Sequence, residues 1–466
     1  MKFSKCIITV LFFIFICTNV FANPIVKAID NTNLKRNSII SVSVRKTNSA
    51  KDIYSLRSGT YLNPASSLKV FTMAAALDTL GEKYNFETIV YIDNKDLYLK
   101  LGADPLLTHS DLKILAQKIK AAYGGHIRNF YIDDSIIDKK YYPDGWTVDD
   151  FWPNSPKISP YIVDNNTVSV DFLIEQNKAG KSNVKIIQND DYKFSFINEL
   201  EISDKNNIIS SLNYGESSGI VSLRGTLAKN LTKQYPVLDT AQFFAFRLRK
   251  ALDSAGVSYS KPFYPKKVPA NAKRIASFAR PIGDVLSFIL KTSNNFAAEV
   301  VFKAAGAKWA AENNEYIKNL GGSNSKNQNT KNSFENAKTM FFDFYDRAGL
   351  NNNKINLSDA SGVSRYNTMT TSWMSEALVY LDKNSKIKDY MASPGEGTLT
   401  RRMRDLKDNL KAKTGTIFGV SSLCGYLTSA NDVQYVFSII IQNFSERPSV
   451  IKGLEDDIVS GIYFIE

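Results

Sequence analysis

Cysteine and histidine are almost missing from this chain: of 466 residues, three are cysteine and two are histidine. Cys6 and Cys17 bound one apolar run near the start, which leaves Cys424 alone in the remainder and excludes an internal disulfide framework there. Cys424 stands within the apolar stretch Val420 to Leu427, where a small buried hydrophobe is expected and not a reactive thiol. His109 and His126 lie far from any nucleophile-elbow pattern, which speaks against a Ser-His-Asp triad. There is no His-Glu-x-x-His and no His/Cys cluster, so neither a metal site nor a cofactor is expected. A long apolar span is missing too. The Cys6 to Cys17 run is twelve residues, against the ~20 needed to cross a bilayer. Lys2 and Lys5 precede it and Val20-Phe21-Ala22 follow it, so residues 1–22 read as a signal peptide cleaved before Asn23. The expected location is periplasmic or otherwise extracytoplasmic, with no stable membrane span after cleavage.

What is present is a moderate excess of positive charge. The chain has 58 basic and 46 acidic residues, a net charge of +12, and loses two lysines with the leader. The basic residues are scattered and no nucleic-acid motif is found, so nucleic acid is not an expected partner; the charge suits work near anionic envelope polymers. The remaining length exceeds one simple core. Ile39 to Val44 alternates like a strand. Pro64-Ala65-Ser66-Ser67-Leu68-Lys69 opens an apolar helix that Gly81 closes. From about Tyr91 the texture changes to short strands and turns, with one helix at Asp111 to Ala122. Helical patterning returns at Ile282 and through Phe296 to Ala311. Residues 321–332 are rich in Gly, Ser, Asn and Lys, as in a solvated loop. Leu410 to Leu427 and Val433 to Gln442 read as adjacent strands, and Ser449 to Ile465 as a closing helix. This predicts an α+β chain: a catalytic domain formed by residues 23–90 and 269–466, interrupted by a large α+β insert at 91–268.

With histidine so scarce, the general base of a hydrolase is sought among the lysines. Ser-x-x-Lys occurs eight times, so the pattern alone carries nothing. Ser66 is singled out by its place at the head of an apolar helix, with Lys69 one turn later on the same face. Burial among Leu68, Val70, Phe71 and Met73 would lower the lysine pKa until the neutral amine accepts the serine proton. On this segment alone, a capping serine and a snorkelling lysine explain the residues equally well. Two further motifs decide between these readings. Ser293-Asn294-Asn295 precedes a helix, and Lys413-Thr414-Gly415 is the only such triplet in the chain, followed by Thr416. The order Ser-x-x-Lys, Ser-x-Asn, Lys-Thr-Gly is far more specific than any one of the three.

In that order of motifs the chain resembles the serine penicillin-recognising enzymes, and among them the low-molecular-mass class C penicillin-binding proteins, which are D-alanyl-D-alanine carboxypeptidases and endopeptidases. The 227 positions between Ser66 and Ser293 match the long insert of that group. The likeness extends through Gly102 to Leu107, Asp133-Asp134-Ser135, Leu357 to Asn367 and Gly395 to Leu399. Asn294 and Ala360 depart from the commoner aspartate and glycine. The resemblance implies a serine β-lactamase/DD-peptidase-like domain, with an antiparallel sheet flanked by helices. It also implies roles. Ser66 is the nucleophile and Lys69 its base, with the Ser66 and Thr416 amides as oxyanion hole. Ser293 relays a proton, and Asn295 holds Lys69 and the substrate amide. Lys413, Thr414 and Thr416 meet the terminal carboxylate, with Gly415 leaving room for the substrate backbone. Lys413 also discourages charge on Lys69. Arg365 and Asp150 are candidates for the zwitterionic side chain of a stem peptide. The implied partners are peptidoglycan stem peptides ending in D-Ala-D-Ala, and β-lactams. A serine β-lactamase and a non-catalytic cell-wall-binding protein remain as competing readings. The first lacks a Glu-x-x-Leu-Asn motif, and the second would not need all three motifs.

Overall fold

The computed structural model describes residues 23–176, 182–213, 219–260, 263–313 and 332–465. The expected signal segment and all but one residue of the expected loop at 321–332 lie outside the described residues. Helices α1 (Pro24–Asp30) and α2 (Leu34–Asn37) lead into β1 (Ile39–Lys46) and β2 (Asp52–Leu56). A single 3-10 turn, Ala65–Ser67, then enters α3 (Leu68–Leu80). Next come β3 (Asn85–Asp93), β4 (Asp96–Lys100), α4 (His109–Ala122) and β5 (Asn129–Asp133). Strands β6 (Thr167–Gln176), β7 (Ser182–Gln188), β8 (Ser195–Ile202), β9 (Asn207–Asn213), β10 (Ile220–Leu227) and β11 (Leu231–Pro236) precede α5 (Thr240–Ser254). They are followed by β12 (Phe263–Pro265), β13 (Lys273–Pro281), α6 (Ile282–Thr292), α7 (Asn295–Glu312) and α8 (Ser333–Arg347). The chain closes with β14 (Ile355–Asn356), β15 (Thr368–Met369), α9 (Thr371–Asn384), β16 (Leu410–Ile417), β17 (Val420–Thr428), β18 (Gln434–Gln442) and α10 (Pro448–Tyr463).

Both ends of the sequence meet in one antiparallel sheet of order β16-β17-β18-β1-β2, in which Ile39 lies opposite Gln442. Side chains alternate across a strand, so each face of β18 has its own core. Val436 and Ile440 pack with α3, α7, α8 and α9, whereas Phe437, Ile439 and Ile441 pack with α1 and α10. Coverage on both faces explains why β17 and β18 read as continuous apolar runs. The run expected at 410–427 is two strands, because the chain reverses at Phe418-Gly419 between β16 and β17. Helix α3 is buried almost all round, as its lack of a polar face requires. Leu68, Val70, Phe71 and Met73 are fully buried, each contributing roughly 1.5–3 kcal/mol. That sum lets the helix carry Lys69 into the interior.

A second region contains the mixed sheet β12-β5-β4-β3-β13 and the three-stranded sheets β11-β6-β7 and β8-β10-β9. These share one core with α4 and α5, through residues such as Leu99, Phe130, Phe172, Leu223 and Phe243. Antiparallel sheet flanked by helices, with this α+β region interposed, makes the fold α+β. Because β3 and β13 pair with each other at the margin of the mixed sheet, we propose that the insert runs from Asn85 to Pro281, wider than the 91–268 expected.

Candidate active site

The 3-10 turn that carries Ser66 is held from several sides. Ala65 adopts φ 45°, a left-handed conformation that costs an alanine about 1–2 kcal/mol. Its amide donates to Asn63 Oδ1 at 2.8 Å, and Asn63 Nδ2 donates to the Ser364 carbonyl at 3.0 Å. Ser67 Oγ and Ser422 Oγ both donate to the Pro64 carbonyl at 2.6 Å, tying the turn to β17. Gly415 of β16 runs directly past it. A Cβ there would sit 2.8 Å from Ser66 N and 2.9 Å from Ser67 N. The glycine is thus required for the strand to approach the Ser66 turn, a reason different from the room for a substrate backbone that the sequence suggests.

Lys69 is fully buried and its Nζ lies 2.9 Å from Ser66 Oγ. The same nitrogen donates to Asn295 Oδ1 and to the Ser361 carbonyl, each at 2.7 Å. Burial first of all lowers the lysine pKa from 10.5 to about 7, against the opposing pull of the Asp359 and Glu299 carboxyls. A neutral amine has two hydrogens and one lone pair. Two carbonyl oxygens, which only accept, take both hydrogens, and the lone pair is left facing the Ser66 hydroxyl. The arrangement can remove a proton from Ser66.

Ser293 ends α6 in a left-handed conformation, φ 63°. Its Oγ accepts from Lys413 Nζ at 2.8 Å, and the same nitrogen donates to the Thr414 carbonyl at 2.8 Å. Lys413 is fully buried; burial, and then the nearby Lys69 ammonium, push its pKa well below the usual lysine range. Thr414 does not hold its hydroxyl free: it donates to Thr398 Oγ1 at 2.8 Å. Thr416, by contrast, is exposed at the end of β16. Asn294 caps α7 by accepting the Ala297 amide at 2.8 Å, a role that asparagine and aspartate fill equally. An aspartate at this position would cap the helix in the same way.

Arg365 and Asp150 are brought together, but onto each other: Arg365 Nη1 donates to Asp150 Oδ2 at 2.9 Å and to the Val363 carbonyl at 2.7 Å. Asp150 Oδ2 also accepts the Thr147 amide at 2.8 Å. Neither histidine joins this cluster among the described residues. His109 opens α4, and His126 bonds Ser258 and Ser260 across the insert. Cys424 lies opposite Lys413 in β17, and burial raises its thiol to about 12, an inert group.

Three groups escaped the sequence reading. The Ser361 carbonyl is a backbone atom and has no residue signature. Asp359 accepts from Gly362 N, Ser364 N, Asn367 Nδ2 and Trp146 Nε1 at 2.6–2.8 Å, fixing the whole 359–367 turn. Glu299, fully buried, accepts from the Ala360 and Ser361 amides at 3.0 and 2.8 Å. A carboxylate in the middle of the apolar stretch Phe296 to Ala311 was the available signal for it.

The chain matches the D-Ala-D-Ala carboxypeptidase 3 (S13) family over residues 23–314 and 309–460. It is 24% identical to the D-alanyl-D-alanine carboxypeptidase DacB of Haemophilus influenzae over 441 residues, covering 88% of this chain and 87% of that one. It is 26% identical to the D-alanyl-D-alanine carboxypeptidase of Actinomadura sp. strain R39 over 452 residues, covering 86% and 77% respectively. The crystal structure of penicillin binding protein 4 from Haemophilus influenzae superposes with a TM-score of 0.76 at 22% identity, over 93% of this chain and 99% of that one.

Proposed function

Because the chain belongs to the D-Ala-D-Ala carboxypeptidase 3 (S13) family, and is thus a serine-type DD-peptidase of the class C penicillin-binding proteins, we propose that it works by acylation of Ser66. The observation that carries this assignment is the geometry of Lys69 Nζ, whose two hydrogens are engaged by Asn295 Oδ1 and the Ser361 carbonyl beside Ser66 Oγ. Ser66 Oγ attacks the carbonyl carbon of the penultimate D-Ala of a peptidoglycan stem peptide as its proton passes to Lys69. The resulting oxyanion is met by the Ser66 and Thr416 amides, a kind of contact worth several kcal/mol. Collapse breaks the peptide bond, and the departing D-Ala amine takes a proton through Ser293. Water then cleaves the ester and restores Ser66.

Lys413 meets the substrate carboxylate, whose negative charge restores the proton that burial disfavours. Thr416, exposed at the end of β16, offers its hydroxyl for the same contact, while Thr414 is held by Thr398. Arg365 and Asp150 receive the charged termini of the stem side chain, opening their mutual pair to do so. A β-lactam ring opens on the same serine by the same attack. The leader-like residues 1–22 support export to the periplasm, and among the described residues no helix is long and apolar enough to cross a membrane.

The test is D-Ala release from a peptide ending in D-Ala-D-Ala, followed against pH. The neutral amine is the active form, so the rate rises with pH through about 7, where Lys69 loses its proton. Failure to release D-Ala at any pH would remove the assignment.

A further inference from the structure

On α7, Asn295 and Glu299 stand four residues apart and share a face. Asn295 touches the base directly. Among the described residues Glu299 hydrogen-bonds the turn behind it: Oε1 accepts the Ala360 and Ser361 amides, while the carbonyl of that same Ser361 receives Lys69 Nζ. The second oxygen, Oε2, is buried without a partner among the described residues. This is an unusual expense of a carboxyl group in an apolar helix, since a buried carboxylate normally collects several donors on both oxygens. Asp359, which opens the same turn, does collect them.

We propose that Glu299 is a positioning residue for the acylation step, which aims the Ser361 carbonyl at Lys69. The inference rests on the assignment of Lys69 as base and deepens it. Without an acceptor for the two amides, the 359–360 and 360–361 peptides lose that anchor, and the Ser361 carbonyl on the next peptide shifts from Nζ, so that the lone pair is no longer directed at Ser66. The charges around Glu299 agree with a neutral acid. Asp359 from the turn is an anion, and it disfavours a second one beside it. Burial, followed by that Asp359 charge, raises Glu299 to about 8. The cations that feel Glu299 are Lys69 and Lys303, and burial lowers both. Lys303, next on the α7 face, is paired with Asp138 of the insert at 2.7 Å.

The test uses two variants of the full chain that preserve the helix. Glu299→Gln keeps Oε1 and copies the neutral acid; Glu299→Asp keeps the acid but withdraws it by one methylene from the two amides. With a fluorescent penicillin as probe, reversible binding and the first-order acylation step are measured separately. Glu299→Gln is expected to acylate within about threefold of the parent, and Glu299→Asp about tenfold or more slowly, at unchanged reversible affinity, since small displacements of a catalytic group are costly. A purely structural role would lower thermal stability without this split. The proposal is overturned if Glu299→Asp acylates as fast as the parent, or if Glu299→Gln is as slow as Glu299→Asp. In either event labelled Ser66 in the parent would leave the broader assignment standing, whereas an unlabelled parent would remove both.

Discussion

Lys69→Met should slow acylation by a β-lactam by about 10² to 10⁴, the usual contribution of a positioned general base, while leaving the protein folded. Methionine fills nearly the same volume, so packing among Leu68, Phe71 and Met73 is kept; what goes is the nitrogen 2.9 Å from Ser66 Oγ, with its lone pair. The variant should also flatten the pH dependence, because the limb near pH 7 belongs to Lys69. A stability signature accompanies this. The lysine is lowered to about 7 in the folded chain and stands near 10.4 when unfolded. Between those values the unfolded chain binds the extra proton, so the parent gains stability as pH rises. The gain is at most about 1.4 kcal/mol per pH unit and is absent in Lys69→Met. Denaturant unfolding at pH 7 and pH 9 measures the difference. An acylation rate unchanged by the substitution would exclude Lys69 as the base.

Gly362→Ala is the second large effect. Gly362 adopts φ 82°, and a Cβ on it would be driven into the Ala65 carbonyl and lie 3.0 Å from Ser66 N. The clashing atoms are backbone on both sides, so no flexible side chain can give way. The left-handed conformation adds about 1–2 kcal/mol for alanine. Relief comes by moving either the nucleophile turn or the 359–367 turn, and a shift of about 1 Å at a reacting group costs on the order of 10² in rate. The expected result is a protein that melts earlier and acylates about a hundredfold more slowly. Gly349→Ala is the control: its Cβ meets nothing within 4 Å, and acylation should be unchanged. Equal behaviour of the two variants would show that the contact between Gly362 and Ala65 does not hold the site.

The sequence carried a good part of this site because its chemistry is carried by side chains in ordered motifs. Ser66, Lys69, Ser293, Asn295 and Lys413 are each singled out by residue type, spacing and context, and the fold bonds Lys69 to Asn295 across 226 positions. Other features were not legible, for physical reasons. A backbone carbonyl such as that of Ser361 has no signature, and neither does the reason for Gly415, which depends on a turn 350 positions earlier in the chain. The pairing of Arg365 with Asp150 depends on how the insert folds back on the catalytic domain. The reversal at Phe418-Gly419 leaves little trace in the sequence because only these two residues separate β16 from β17. At the margins of the insert, β3 and β13 lie in the sequence at distances that no local pattern reports.

The most direct measurement of the central claim is covalent labelling of the chain from Asn23 by a fluorescent penicillin, beside Ser66→Ala, read by denaturing gel and peptide mass spectrometry. Folding of both proteins is checked by thermal unfolding. The account predicts a label on the peptide that contains Ser66, and none in the Ser66→Ala protein. A label on any other residue, or a Ser66→Ala protein that labels like its parent, would contradict it.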